Sequence, residues 1–188
     1  MTLKYTLKFF DYWHLSSGLS AGAKLDRTVV KDENDLPYAS GKTIKGLVRE
    51  MALASKFDCS SIDKCFGTTS DKDDKCYEKN KKLLSGECYF TNAILEKSLK
   101  DEIVSNNLQD YLYDVIASTK IGDDGLAVDN SLREIEVVIP LTLYGEIRDI
   151  PSDFKENLKK SLKLIKRMGL NRNRGLGRCE FSVYEESK

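Results

Sequence analysis

Polar and apolar residues alternate in "LKYTLKFF" (3–10), which sets Leu3, Tyr5, Leu7 and Phe9 on one face and predicts a strand. The period then changes. From about 43 to 56, Ile44, Leu47, Val48 and Met51 recur at helical spacing. "GECYFTNAIL" (86–95) predicts a second strand. "IEVVIPLTLYGEI" (135–147) alternates over a long stretch, in which Pro140 implies an edge or a bulge. Phe154, Leu158, Leu162, Ile165 and Met168 share one face of a helix predicted over 152–168, and "RCEFSVY" (178–184) predicts a last strand. The order is β-α-β-β-α-β. It predicts an α+β fold of the ferredoxin-like class, whose sheet covered by two helices is also the scaffold of the commonest RNA-binding modules. The core would occupy about 3–10, 43–56, 86–95 and 135–184 of a single domain spanning 1–188. Polar insertions fall at about 57–85 and 96–134, and a long loop rich in Gly, Ser and Asp at 14–40.

Charge changes this picture locally and not globally. The chain has 30 basic and 30 acidic residues, so no overall pull toward polyanions exists. Yet Lys155 to Arg178 contains nine Lys/Arg and one acid, Glu156, whereas Glu96 to Glu136 contains ten acids and four bases. One face can meet a polyanion while another stays acidic, which makes nucleic acid the leading partner class. The N-terminal stretch alternates and no segment approaches membrane-spanning length, so a cytoplasmic protein without a membrane partner is expected. The five cysteines are then expected as reduced thiols. Cys59, Cys65, Cys76 and Cys88 have five, ten and eleven intervening residues and no Cys-x-x-Cys pair, a weak signal for structural zinc.

Two segments carry candidate chemistry. "DLPYASGKTIKGLVRE" (35–50) contains Gly41-Lys42-Thr43, the end of a phosphate-binding loop, but Leu36 and Pro37 stand where the first glycine should be. Pro37 also lacks a backbone donor, so a nucleoside-triphosphate site is disfavoured. A helix N-terminus remains, with Ser40 and Thr43 as capping residues and Lys42, Lys45 and Arg49 as a basic stripe. That stripe reads either as a phosphate site or as a solvated helix face. "GLNRNRGLGRCEF" (169–181) interleaves Gly169, Gly175 and Gly177 with Arg172, Arg174 and Arg178. Glycine lets backbone approach a ligand closely, and Asn171 and Asn173 tolerate left-handed backbone while offering amides, so polyphosphate binding is favoured over a plain turn.

Taken together and in order, these segments resemble the RAMP superfamily of CRISPR proteins. "DYWHLSSGLSAGAKLDRTVVKD" (11–32) resembles that family's His-containing glycine loop, which leads to an aspartate and a basic-acidic pair, here Lys31-Asp32. "LPYASGKTIKGLVRE" resembles its Pro-x-x-x-Gly-[Ser/Lys]-[Ser/Thr]-x-Lys-Gly-x-x-Arg segment, "CFG" (65–67) its Phe-Gly step, and "GLNRNRGLGRCEF" its C-terminal glycine-rich loop. The spacing is most similar to the backbone subunit of type III effector complexes. The resemblance implies that the chain binds guide RNA as a repeating subunit, with target RNA, copies of itself and other CRISPR effector subunits as partners. It implies an RNA-binding set of His14, Lys31, Ser40, Lys42, Thr43, Lys45, Arg49, Asn171, Arg172, Arg174, Gly175 and Gly177. Asp26 resembles the aspartate that cleaves paired target RNA, with a divalent cation such as Mg2+ as cofactor. It also implies that Ile121, Leu126 and Val128 belong to a thumb-like projection, while an exposed acidic hairpin is the plain reading of the residues. Two alternatives stay open: a non-catalytic RNA-binding scaffold of the same complex, and a guide-processing ribonuclease acting through His14.

Overall fold

The computed structural model describes residues 1–18, 25–79 and 82–184. Strand β1 (Leu3–Phe9) is central to a four-stranded antiparallel sheet, flanked by β5 (Thr142–Arg148) and β6 (Cys179–Tyr184), with β2 (Tyr89–Phe90) outside β5. Lys4 faces Glu146 on one side and Tyr184 on the other, and Lys8 faces Thr142 and Glu180. Leu3, Tyr5, Leu7 and Phe9 are all buried, as their alternation predicts. Helices α1 (Gly41–Ala54) and α4 (Lys155–Leu164) cover that face with Ile44, Val48, Ala52, Leu158 and Leu162. Helix α2 (Cys59–Phe66) and helix α3 (Lys97–Ser105) lie in the two insertions. The fold is thus a mixed α+β arrangement built around this antiparallel sheet.

Three expectations change. The stretch 135–147 is not one strand. It breaks at Ile139-Pro140-Leu141, so that β4 (Arg133–Val138) pairs with β3 (Tyr113–Ser118) in a separate two-stranded sheet while β5 joins the main one. Proline cannot donate to a ladder, and the chain changes sheets where it stands. The strand expected at 86–95 is reduced to two residues plus single bridges from Ala93 to Ala39 and from Ile94 to Tyr144. The cysteines are not free thiols: Cys59 is bonded to Cys76 and Cys65 to Cys88, which ties α2 and the 67–88 segment together. Only Cys179 is free among the described residues, buried under the sheet.

Gly41 opens α1 for a packing reason. A Cβ there would stand 2.1 Å from the carbonyl oxygen of Phe90, and the Gly41 N–H is held 2.9 Å from Asn92 Oδ1. Backbone against backbone cannot yield as a side chain can. Gly41→Ala is therefore expected to cost about 2 kcal/mol, read as a lower midpoint with an unchanged slope in urea denaturation.

Candidate nucleic-acid interface

Beyond β1 the chain runs between two other parts of the molecule. Trp13 exchanges backbone hydrogen bonds with Val138, and its indole stacks on Phe9 with centroids 4.4 Å apart. The next carbonyl, that of His14, accepts the Leu170 N–H at 2.9 Å, and the Tyr12 carbonyl accepts the Gly177 N–H at 2.8 Å. Residues 12–14 are thereby laced to the hairpin on one side and to the glycine-rich segment on the other. Gly169 has φ +93, and a Cβ on it would meet the His14 carbonyl oxygen at 2.3 Å. No other residue allows so close an approach.

This lacing forms a cavity of about 340 Å³ lined by His14, Ser16, Ser40, Thr43, Gly169 and Leu170, among others. It sits at the start of α1. Ser40 caps that helix by accepting the Thr43 N–H at 3.2 Å, and the two hydroxyls are 2.8 Å apart. The positive end of the helix dipole, two hydroxyls and a bare glycine backbone therefore meet in one concavity, an arrangement suited to a phosphate. Lys42 is exposed beside it and Lys45 is half-buried, its pKa lowered by burial. Asn171, with φ 55, turns the glycine-rich segment, whose Arg172, Arg174 and Gly175 are exposed while Gly177 is buried in its bond to Tyr12.

Other residues named from the sequence are committed within the protein. Arg49 points into the first insertion, where it pairs with Asp74 and, at 3.9 Å, with Asp63. Lys31 bonds Glu136 at 2.8 Å and lies over the Tyr113 ring at 3.8 Å from its centroid. His14 is fully buried. Its Nδ1 donates to the Glu136 carbonyl at 2.6 Å, and its Nε2 has no hydrogen-bond partner. A ring so placed supports the cavity wall, and direct contact with RNA would require it to move.

Asp26 is exposed. Its carboxylate accepts the Glu134 N–H at 2.8 Å, and its own N–H donates to the Glu134 carbonyl at 2.9 Å. This clamps the loop to β4, two residues or about 7 Å of strand from Glu136. Residues 19–24, which hold Ala21-Gly22-Ala23-Lys24, lie outside the described residues. The β3–β4 hairpin carries an exposed apolar tip of Ile121, Leu126, Val128 and Leu132. Among the described residues, no three or more His, Cys, Asp and Glu side chains gather as a metal site. No helix of the described residues is long and apolar enough to cross a membrane.

Glu136 and Asn92 are positioning residues that no sequence motif singles out. Glu136 takes the Val29 N–H at 2.9 Å and Lys31 on its carboxylate and the His14 ring on its carbonyl, so it ties β4 to the 29–31 loop and to residues 12–14. The one available signal was a lone acid inside the apolar run "IEVVIPL". Asn92 gave no comparable signal.

Comparison with known proteins places this geometry. A family model described as the RAMP superfamily matches residues 6–180. No curated protein sequence matches significantly. Among solved structures, a chain from the cryo-electron microscopy structure of a type III-B Cmr-beta bound to cognate target RNA superposes with a TM-score of 0.73 at 11% identity, covering 97% of both chains. A chain of type III-B Cmr-beta in its apo state gives 0.74 at 13% identity, over 99% of this chain and 98% of that one. At these identities the likeness is one of fold.

Burial lowers the His14 pKa below 6.5, outweighing the opposing bond to Glu136, and Arg27 lowers it further. The unfolded chain then binds the proton more readily, so the stability this histidine contributes is complete above 6.5 and is lost as pH falls below it. Unfolding free energy is expected to decline as pH falls below 6.5, and His14→Gln to flatten that decline in urea titrations repeated at successively lower pH.

Proposed function

This chain belongs to the RAMP superfamily, and from that membership we propose that it is an RNA-binding subunit of a type III CRISPR effector, gripping guide RNA by its backbone. The observation that carries the reading is the cavity at the start of α1. It unites Ser40 and Thr43 with Gly169, segments more than a hundred residues apart that the sequence had nominated separately. Phosphate contacts position RNA without reading its bases, which suits a protein that must accept any guide. Lys42, Lys45, Arg172 and Arg174 would add charge around the cavity, while Arg49 and Lys31 serve the fold. The strand order β2-β5-β1-β6 with α1 and α4 on one face supports reading the core as a ferredoxin-like module, and the 169–177 segment as the family's glycine-rich loop.

Asp26 is the proposed cleavage residue. Cleavage of RNA through its 2′-hydroxyl needs that oxygen deprotonated and held in line with the adjacent phosphorus. An exposed carboxylate fixed to β4 can orient the hydroxyl and accept its proton. It also fits a hard divalent cation, which binds through one or two carboxylates with substrate phosphates completing its shell, and which would stabilise charge on the phosphate. The exposed apolar hairpin tip would serve as the wedge against paired bases.

Asp26→Asn keeps an oxygen for the Glu134 N–H and removes the base. In an assembled complex it is expected to slow target cleavage about 100-fold or more while guide binding stays within a few-fold. Undiminished cleavage would remove Asp26 from the catalytic role.

Self-association along the guide follows from the charge layout. Lys160 and Lys163 are exposed on α4, and Asp123, Asp124 and Asp129 are exposed on the hairpin. A head-to-tail contact of these faces does not close on itself and propagates. Mass photometry on RNAs of increasing length should show copies rising with length, and Lys160→Glu with Lys163→Glu should reduce the count more than single-copy affinity. One copy at every length would remove the filament.

A further inference from the structure

The face of the sheet turned away from α1 and α4 has a composition that the phosphate cavity does not explain. The even-numbered positions of β1 point there, and Lys8 and Phe10 are exposed on it. Phe10 is 38% exposed, with Lys8 Nζ 5.3 Å from its ring centroid and the Arg178 guanidinium 5.4 Å from it. Together with Lys166 and Arg167 this phenylalanine borders a cavity of about 460 Å³. Farther along the same face, Tyr144 stands level with Thr6 on one side of β1, and Tyr184 level with Lys4 on the other. These two tyrosines share a groove of about 570 Å³ with Lys4, Asn92, Arg148 and Lys97.

Burial does not account for these rings. The apolar core lies on the other face, and an exposed phenylalanine on a strand offers nothing to folding that a threonine would not. Charge alone does not account for them either. Glu146 pairs with Arg148, Asp11 with Arg178 at 3.3 Å, and Glu180 lies opposite Lys8, so part of the basic charge on this face is already offset by acids. A surface that interleaves aromatic rings with cations partly matched by acids suits a flat, polar ligand more than a bare polyanion. Nucleobases are such ligands. They stack on aromatic rings and guanidinium planes whatever their sequence, and four-stranded sheets use this on their open faces.

We propose that the open sheet face is a second RNA site, which holds two or three bases of a single strand by stacking on Phe10, Tyr144 and Tyr184. It goes beyond the phosphate grip at α1 in taking bases, and so requires them unpaired. From Phe10, the residue just past β1, to the level of Tyr184 at Lys4 is six residues along the chain, about 20 Å, enough for that number of bases.

The test uses the purified full-length chain and two probes: a fifteen-nucleotide uridine RNA, which has bases, and inorganic polyphosphate, which has none. Phe10→Ala combined with Tyr184→Ala is expected to weaken uridine binding about tenfold or more and leave polyphosphate binding unchanged. Lys42→Glu, beside the α1 cavity, is expected to weaken both. In the unaltered chain, photo-crosslinking to 5-iodouridine RNA should map to the Phe10 and Tyr184 peptides. Unchanged uridine affinity in the double variant overturns the proposal and leaves this face to a protein partner. An equal loss on both probes also overturns it, since that loss would reflect charge or folding. Should Lys42→Glu leave polyphosphate binding intact, the α1 reading fails while the uridine comparison still decides this one.

Discussion

The site depends on the short run from Tyr12 to His14. Two parts of the molecule that are remote in sequence share it as a common rail: β4, through the Val138 backbone and through the Glu136 carbonyl on the His14 ring, and the glycine-rich segment, through Leu170 and Gly177. Buried backbone groups must find partners, and here each pairing brings a functional loop with it. Glu136 extends the same frame with its carboxylate, which fixes Val29 and Lys31 and so sets the path of the loop that carries Asp26. Removing one partner from a buried charged pair is costly, because the other stays buried without compensation. The rail therefore positions both the cavity and the aspartate although neither Trp13 nor Glu136 lines the cavity.

What the sequence made legible follows from what periodicity can encode. The odd positions of β1, the stripe of α1 and the apolar face of α4 were readable because burial repeats at two or 3.6 residues. The break at Pro140 was not. Alternation continues across it, so "IEVVIPLTLYGEI" has the pattern of one strand although its halves join different sheets. The cavity at the start of α1 was half legible: Ser40, Thr43 and the glycines stood out as residue types, but only tertiary structure brings them together. Lys31 and Arg49 show the converse limit. A cation in the right register is compatible with RNA and with an internal carboxylate, and the deciding carboxylates lie far along the chain at Glu136, Asp63 and Asp74.

The first insertion shows how a polar segment acquires order. It contributes few apolar anchors, chiefly Ile62 and Phe66, the latter edge-on to Phe154 with ring centroids 5.8 Å apart. Two disulfides, the Asp58 cap of α2 and the Arg49 ion pairs supply the rest. Cross-links restrict the unfolded chain more than they strengthen native contacts, which suits a segment with little core of its own. By taking Arg49 out of the basic stripe, the insertion also confines the positive surface of α1 to its first turns, which carry Lys42 and Lys45.

A chain with no net charge can still bind a polyanion if its charges are unequally placed, and the two faces of the sheet divide this work differently. On the helix side, the dipole of α1 and unobstructed backbone would act on phosphate at short range, where salt screens less than over an open surface. On the open side, acids offset part of the cationic charge, and the exposed rings would take unpaired bases. Phe10 and His14 are four residues apart, about 13 Å of extended chain. Arg167, whose Nη1 donates to the Arg172 carbonyl, borders the Phe10 cavity and ties it to the glycine-rich segment. The edge formed by residues 10–14 and 166–178 is therefore where a strand held by phosphate on one side, as proposed, would turn its bases toward the other.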